Sequence, residues 1–162
     1  MKGRPTKKVP ELLPAILRND AGEVERLLRA GISPEEKDRE GRTAIINAAI
    51  DANEEIVKAL IAAGADLNAQ DRNGYTALHF AGQRYRPEIA GLLLKHGAEV
   101  DRRDAYGNTP LWRAVFESKG RGDLIRLLLE HGADRNLAND SGVSPVQLAD
   151  TIANYDTKQF FG

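Results

Sequence analysis

The stretch Asp71-Arg72-Asn73-Gly74-Tyr75-Thr76-Ala77 decides the fold, because it comes back along the chain. Upstream it reads Asp38-Arg39-Glu40-Gly41-Arg42-Thr43-Ala44, and downstream Asp104-Ala105-Tyr106-Gly107-Asn108-Thr109-Pro110. A last copy is Asn139-Asp140-Ser141-Gly142-Val143-Ser144-Pro145. The glycines of these copies stand at 41, 74, 107 and 142, in steps of 33, 33 and 35. A second series, Gly31, Gly64, Gly97 and Gly132, keeps the same steps. Two landmarks sharing one period describe a chain of stacked units.

Each unit can be read outward from that stretch. Thr43, Thr76, Thr109 and Ser144 stand just before apolar-periodic runs, where a side-chain oxygen can accept a free backbone N–H of a first helical turn. Pro110 and Pro145 follow at the first helical position, where a missing N–H costs nothing. The first helix carries apolar residues such as Leu78, Ala81, Leu111 and Ala114. After a polar break, a second helix is expected to begin at an acidic residue, Glu23, Glu54 with Glu55, Glu88 or Asp123, which suits the positive helix end. It closes on the pairs Leu27-Leu28, Leu60-Ile61, Leu93-Leu94 and Leu128-Leu129, and the second glycine series supplies the C-caps. Polar arms such as Ala65-Asp66-Leu67-Asn68 lead into the next turn.

Composition bounds what such a chain can be. Its 162 residues suffice for one domain, expected over 9–162, behind a basic flexible tail over 1–8. Lys plus Arg is 23 against 24 for Asp plus Glu, so no global charge favours nucleic acid or a membrane surface. Cys is absent, which removes disulfides, zinc–thiolate sites and a thiol nucleophile. With four Tyr, four Phe and one Trp, the core must be mostly aliphatic. No apolar run reaches the ~20 residues of a membrane span. None follows the basic Met1–Lys8 either, as a secretory signal would require, so the expected compartment is the cytoplasm.

The order turn, helix, short turn, helix, extended arm at a period of 33 resembles the ankyrin repeat. The matching residues are Thr76-Ala77-Leu78-His79, Thr109-Pro110-Leu111-Trp112, Gly64-Ala65-Asp66, Gly97-Ala98-Glu99 and Gly132-Ala133-Asp134. The resemblance implies an all-α solenoid of paired helices with short β-hairpin or turn fingers. Three full repeats, 38–70, 71–103 and 104–138, would stand between an N-terminal half-repeat, 9–37, and a C-terminal partial repeat, 139–162. The family's Thr-Pro-Leu-His tetrad departs to Thr43-Ala44-Ile45-Ile46 and Ser144-Pro145-Val146-Gln147, so its histidine, which ties neighbouring loops, occurs only at His79. Two extra residues fall within Glu117-Ser118-Lys119-Gly120-Arg121-Gly122-Asp123.

A search for chemistry turns up structural explanations. His96 and His131 share one repeat position before the C-cap glycine, about 10 Å apart on neighbouring helices, and read as surface-helix residues rather than metal ligands. Lys119-Gly120-Arg121-Gly122 lacks the Gly-Lys-Ser/Thr ending of a phosphate loop and has no strand before it. Asp38, Asp71 and Asp104 are turn residues whose side chains reach backbone N–H groups two residues on. No nucleophile–base constellation is present, so the reading is a chain without catalytic residues, metal or cofactor.

By the resemblance, partners use the finger tips and the inner face of the first helices. These positions are Arg39, Glu40, Arg42, Ile50 and Asp51 in one repeat, and Arg72, Asn73, Tyr75, Gln83, Arg84 and Tyr85 in the next. In the third they are Tyr106, Asn108, Trp112, Arg113, Phe116 and Glu117. Tyr, Trp and Arg are the side chains that dominate interface energetics. The expected function is therefore a non-catalytic protein–protein interaction module, monomeric when free, with a partner carrying a mildly acidic patch and no role for nucleic acid or membrane. The C-terminal third resembles small free-standing bacterial ankyrin proteins, which implies more narrowly an immunity protein that neutralises a cognate toxin. The other reading is a general intracellular adaptor or regulator of a cellular enzyme.

Overall fold

The computed structural model describes residues 11–152 and 155–162, so the expected basic tail over 1–8 lies outside the described residues. Among them the helices are α1 (Leu12–Leu17), α2 (Ala21–Arg29), α3 (Ala44–Asp51), α4 (Glu54–Ala62) and α5 (Ala77–Gln83). They continue as α6 (Pro87–Lys95), α7 (Pro110–Glu117), α8 (Asp123–Glu130) and α9 (Pro145–Thr151), followed by a 3-10 helix, Thr157–Phe161. Helices α1, α3, α5, α7 and α9 pack side by side as one layer, while α2, α4, α6, α8 and the 3-10 helix form a second. None of the described α-helices exceeds nine residues, too short to persist alone in water, so each depends on its neighbours for stability. None is long and apolar enough to cross a membrane.

The helix ends follow the sequence signals closely. Thr76, Thr109 and Ser144 accept the backbone N–H of His79, Trp112 and Gln147. Thr43 holds the same extended backbone, but its hydroxyl makes no cap bond, which corrects the expectation of four equivalent caps. Two of the second helices start from side-chain caps that the sequence reading passed over, Asp20 accepting from Glu23 and Asn53 from Ile56, while α6 and α8 start without one. Accordingly α2 opens at Ala21, and α6 opens at Pro87, one residue ahead of the acid. At the far end, Gly97 has φ +95° and stands just past the cap residue His96. Its N–H donates to Leu94 O and the N–H of Ala98 to Leu93 O, the two bonds of a Schellman motif. Gly31, Gly64 and Gly132 repeat this arrangement.

The layers enclose an aliphatic core. Ile45, Ile46, Leu60, Leu78, Leu93, Leu111, Leu124 and Leu128 are fully buried in one continuous core. Gly82 lets α5 and α7 approach: a Cβ there would lie 2.9 Å from Pro110 O. The first unit, expected as a half-repeat, forms both of its helices, although α1 has only six residues and no side-chain cap.

The two inserted residues have a structural use. Lys119 (φ +50°) and Gly120 (φ +82°) bend the α7–α8 connection, and the C-terminal segment lies over it. A Cβ on Gly120 would meet the Tyr155 ring at 2.8 Å, and one on Gly122 would collide with Phe160. Arg126 stands over the Phe160 ring at 5.2 Å, and Arg135 donates to the carbonyl of Phe161. The 3-10 helix thus covers α8 and the α7–α8 turn, the place a second helix takes in the other units.

These packing relations give separable outcomes. A Cβ on Gly97 would meet nothing within 4 Å, so Gly97→Val should cost about 1–2 kcal/mol through backbone strain alone. Gly122 has φ −117°, so Gly122→Ala should destabilise by overpacking against Phe160, about 1–3 kcal/mol. Leu93→Ala should cost about 2–5 kcal/mol. Urea unfolding midpoints measure all three, and an unchanged midpoint for Gly97→Val would refute the repeat register.

Candidate functional site

One side-chain oxygen builds each finger. Asp71 Oδ1 accepts the backbone N–H groups of Asn73 and Tyr75, both at 2.9 Å. Asp38 does the same for Glu40 and Arg42, Asp104 for Tyr106 and Asn108, and the amide oxygen of Asn139 for Ser141 and Val143. Adjacent fingers are then linked through the backbone: Arg72 N–H donates to Glu40 O, Ala105 to Asn73 O and Asp140 to Tyr106 O. The tips therefore stand in register beside the first-helix layer, and the two together form one continuous surface.

A chain of rings and guanidinium groups runs beneath that surface. Arg42, just before its cap, stands 5.0 Å over the ring of Phe80 in the next repeat. One repeat further, the same two positions hold Tyr75 and Arg113, and Arg113 stands 4.8 Å over the Tyr75 ring. The contact is the same cation–π pairing with cation and ring exchanged. Tyr75 meets Phe80 edge to face at 5.5 Å, which joins the two pairs. Arg113 also donates to Tyr75 Oη (2.5 Å) and to Asp104 Oδ2 (2.8 Å). Burial would raise the Asp104 carboxyl, but Arg113 and the N–H groups of Asn108 and Tyr106 outweigh it and hold the group below its usual value.

His79 lies next to this chain and is buried. Its Nδ1 accepts the backbone N–H of Thr76 (3.1 Å), so the proton sits on Nε2, which donates to Asn108 O in the following finger (3.0 Å). The loop-tying role implied for it is met by this pair of bonds. Burial pushes the imidazole down to about 4. His96 and His131 turn Nδ1 onto the carbonyls of Leu92 and Leu127 in their own helices.

The residues proposed for partner contact fall into three groups. Arg39, Arg72, Gln83 and Arg84 are exposed, and their side chains make no hydrogen bond or ion pair with another described residue. Tyr106 is 60% and Phe116 57% exposed. Trp112 stacks on Phe116 with ring centres 5.5 Å apart and is half-buried, as is Glu117. Arg42, Tyr75 and Arg113 are half-buried and already engaged, Arg42 with Phe80 and Asp71 and Tyr75 with Arg113, so their first role is to hold the fingers. Tyr85 and Asn108 correct the expectation. Tyr85, at φ +52°, is buried with its ring under the Arg121 guanidinium at 3.7 Å. Asn108 is buried between Asp104 and Asn139, bonded to both. Both are enclosed because the inter-helix turn and the fourth finger fold over them.

Sequence reading missed other contributors. Arg86 donates to the carbonyls of Ala48, Ala49 and Ala52, closing the C-terminal end of α3 from the next repeat. Leu17 is the most exposed large apolar residue described, at 74%, and stands in the first unit, outside the repeats searched for contacts. Counting back 33 residues from Ile50 would have found it. Beside it a groove of about 470 Å³ runs between α1, α3 and α5, floored by Ile16, Ala52 and Phe80.

A family model described as ankyrin repeats, in three copies, matches residues 12–104 and 53–139. No curated protein matches the chain.

Two measurements test this construction. The neutral His79 ring contributes stability in full above its unfolded pKa of about 6.5 and loses it as pH falls toward 4, where the folded ring takes its proton. About 2–3 kcal/mol should disappear across that window, seen as a falling urea midpoint, and His79→Gln should flatten the dependence there. A double-mutant cycle with Arg42→Ala and Phe80→Ala should return a coupling of about 0.5–1 kcal/mol. Additive losses would show that the stacked pair is not an energetic unit.

Proposed function

The chain belongs to the ankyrin-repeat family, whose repeats generally mediate binding to other proteins, and on that premise we propose that it is a non-catalytic module holding a protein partner on its fingers and first-helix layer. The observation that carries this reading is the gathering of exposed Tyr106 and Phe116 rings with the unpaired Arg39, Arg72 and Arg84 on that one surface. Such rings offer large contact area with few torsions to freeze, and unpaired guanidinium groups add charge-assisted bonds to carboxylates. A partner with a mildly acidic patch fits best, bound across the three full repeats by a chain that is monomeric when free. The backs of the second helices, with Lys58, Lys95 and Arg126, are left to solvent.

The narrower reading is a bacterial immunity protein that acts in the cytoplasm and neutralises a toxin domain. Its support is the likeness of the C-terminal third to small free-standing bacterial ankyrin proteins. Co-purification of the tagged chain followed by mass spectrometry tests it. A toxin domain recovered from the same cells, whose toxicity the chain suppresses on co-expression, supports immunity. A housekeeping enzyme in its place refutes immunity and supports the adaptor role.

With the recovered partner, calorimetry should find that Tyr106→Ala and Arg84→Glu each weaken binding by about 2 kcal/mol or more, as hot-spot changes do. Thermal midpoints should hardly move, since both side chains are exposed. Lys95→Glu, on the second layer, should leave affinity nearly intact. Loss of binding in the Lys95 variant, with retention in the other two, would place the partner on the opposite face.

A further inference from the structure

The 33-residue register brings two rows of side chains into line along the first-helix layer. The position seven residues past the caps Thr43, Thr76 and Thr109 holds Ile50, Gln83 and Phe116, the same register assigns Leu17 to the first unit, and the rows stop at α7 because Thr151 and Ile152 follow Ser144 at these positions. The next position holds Arg18, Asp51, Arg84 and Glu117. The first row is apolar except at Gln83. The second alternates in sign, positive, negative, positive, negative. None of these four charged side chains makes a hydrogen bond or ion pair with another described residue, although three of them are exposed and Glu117 is half-buried. The groove of about 470 Å³ joins the rows over the first three units, with Leu17, Ile50, Asp51 and Arg84 among its walls.

The walls of the groove are held by contacts between neighbouring units, two of them made by the lining residues Asn19 and Arg42. Asn19, at φ +57°, accepts the backbone N–H of Asn53 at 2.8 Å, which fixes the turn after Leu17. Arg86 closes the end of α3, and Arg42 is stacked on the Phe80 floor. A surface held in this way before binding loses little entropy on complex formation.

Spacing then selects the occupant. Packed helices lie about 8–10 Å apart, so successive members of each row stand at about that interval. An α-helix advances about 10.5 Å in seven residues and returns to nearly the same face. A pleated strand covers a similar distance in three residues, but three is odd and turns the side chain to the opposite face. We propose that this surface binds an amphipathic α-helix of the partner protein, laid along the stacking direction. Charges of alternating sign at seven-residue intervals meet the row from Arg18 to Glu117, and apolar residues one turn away cover Leu17, Ile50 and Phe116. The order of the charges also sets the direction, since a matching helix reversed in place would set like charges against all four positions. This inference rests on the protein-binding reading above and adds the kind of segment that is bound.

The test uses the full chain, labelled with nitrogen-15, and Ala-rich helical peptides of about 25 residues, long enough to be helical in water. One peptide carries Leu at seven-residue spacing with Glu, Lys, Glu, Lys at the matching interval. A second has the same composition with the charges in blocks, Glu, Glu, Lys, Lys. The alternating peptide should bind at least tenfold more tightly and shift the amide signals of Leu17, Ile50 and Arg84. The double variant Asp51→Arg with Arg84→Glu turns the row into two positive positions followed by two negative ones, so its preference should pass to the blocked peptide. Equal affinities for both peptides, a preference that the double variant leaves unchanged, or no binding of either peptide would overturn the helix proposal. The protein-binding reading is decided separately, by the co-purified partner and its response to Tyr106→Ala.

Discussion

The side-chain oxygen of one residue per repeat, accepting two backbone N–H groups, is the interaction on which the rest of the structure depends. At Asp38, Asp71 and Asp104 it bends the chain into a finger, and Asn139 does the same with an amide oxygen. The bend sets the residue before the helix cap and the cap itself in place. It also points the finger backbone at the next finger, so that each repeat is tied to its neighbour before any apolar surface is counted. A charged acceptor with two backbone donors is among the stronger bonds a partly exposed turn can make. That strength suits helices too short to fold alone.

The second consequence concerns which side chains remain for a partner. Arg, Tyr and Trp are the residues that any interface argument selects first, and this chain places them at finger and first-helix positions in every full repeat. Several are used internally. Arg42 lies on Phe80, Arg113 on Tyr75, and Arg121 on Tyr85, each pair crossing from one unit to the next. The exchange of cation and ring between the first two pairs shows that the position requires the pairing rather than a particular residue. What is left exposed is a smaller set, Arg39, Arg72, Arg84, Tyr106 and Phe116, together with Leu17 from a unit that looked like a mere cap.

The last described unit follows the same physics with different parts. An apolar seam left on α8 has to be covered. Among the described residues the last unit has no second α-helix, and Phe160 and Phe161 of the 3-10 helix stand against α8 and the widened α7–α8 turn. The insertion that breaks the period is therefore a seat for the closing segment, with Gly120 and Gly122 leaving the room that Tyr155 and Phe160 occupy.

Repeat spacing, most first-helix caps, glycine stops and the aliphatic core were legible from residue order, because each is a local signal: a hydroxyl before an apolar run, a glycine where φ is positive, a carboxylate two residues from the N–H it binds. Thr43 marks the limit of such signals, since it stands at a cap yet makes no cap bond. The partition of the candidate surface was decided by tertiary structure. Tyr85 and Asn108 look like contact residues in sequence and are enclosed in space, while Arg86 looks unremarkable and closes a helix more than thirty residues upstream. Whether a ring or a guanidinium faces solvent depends on what the neighbouring repeat sets against it, and no position in one repeat carries that information by itself.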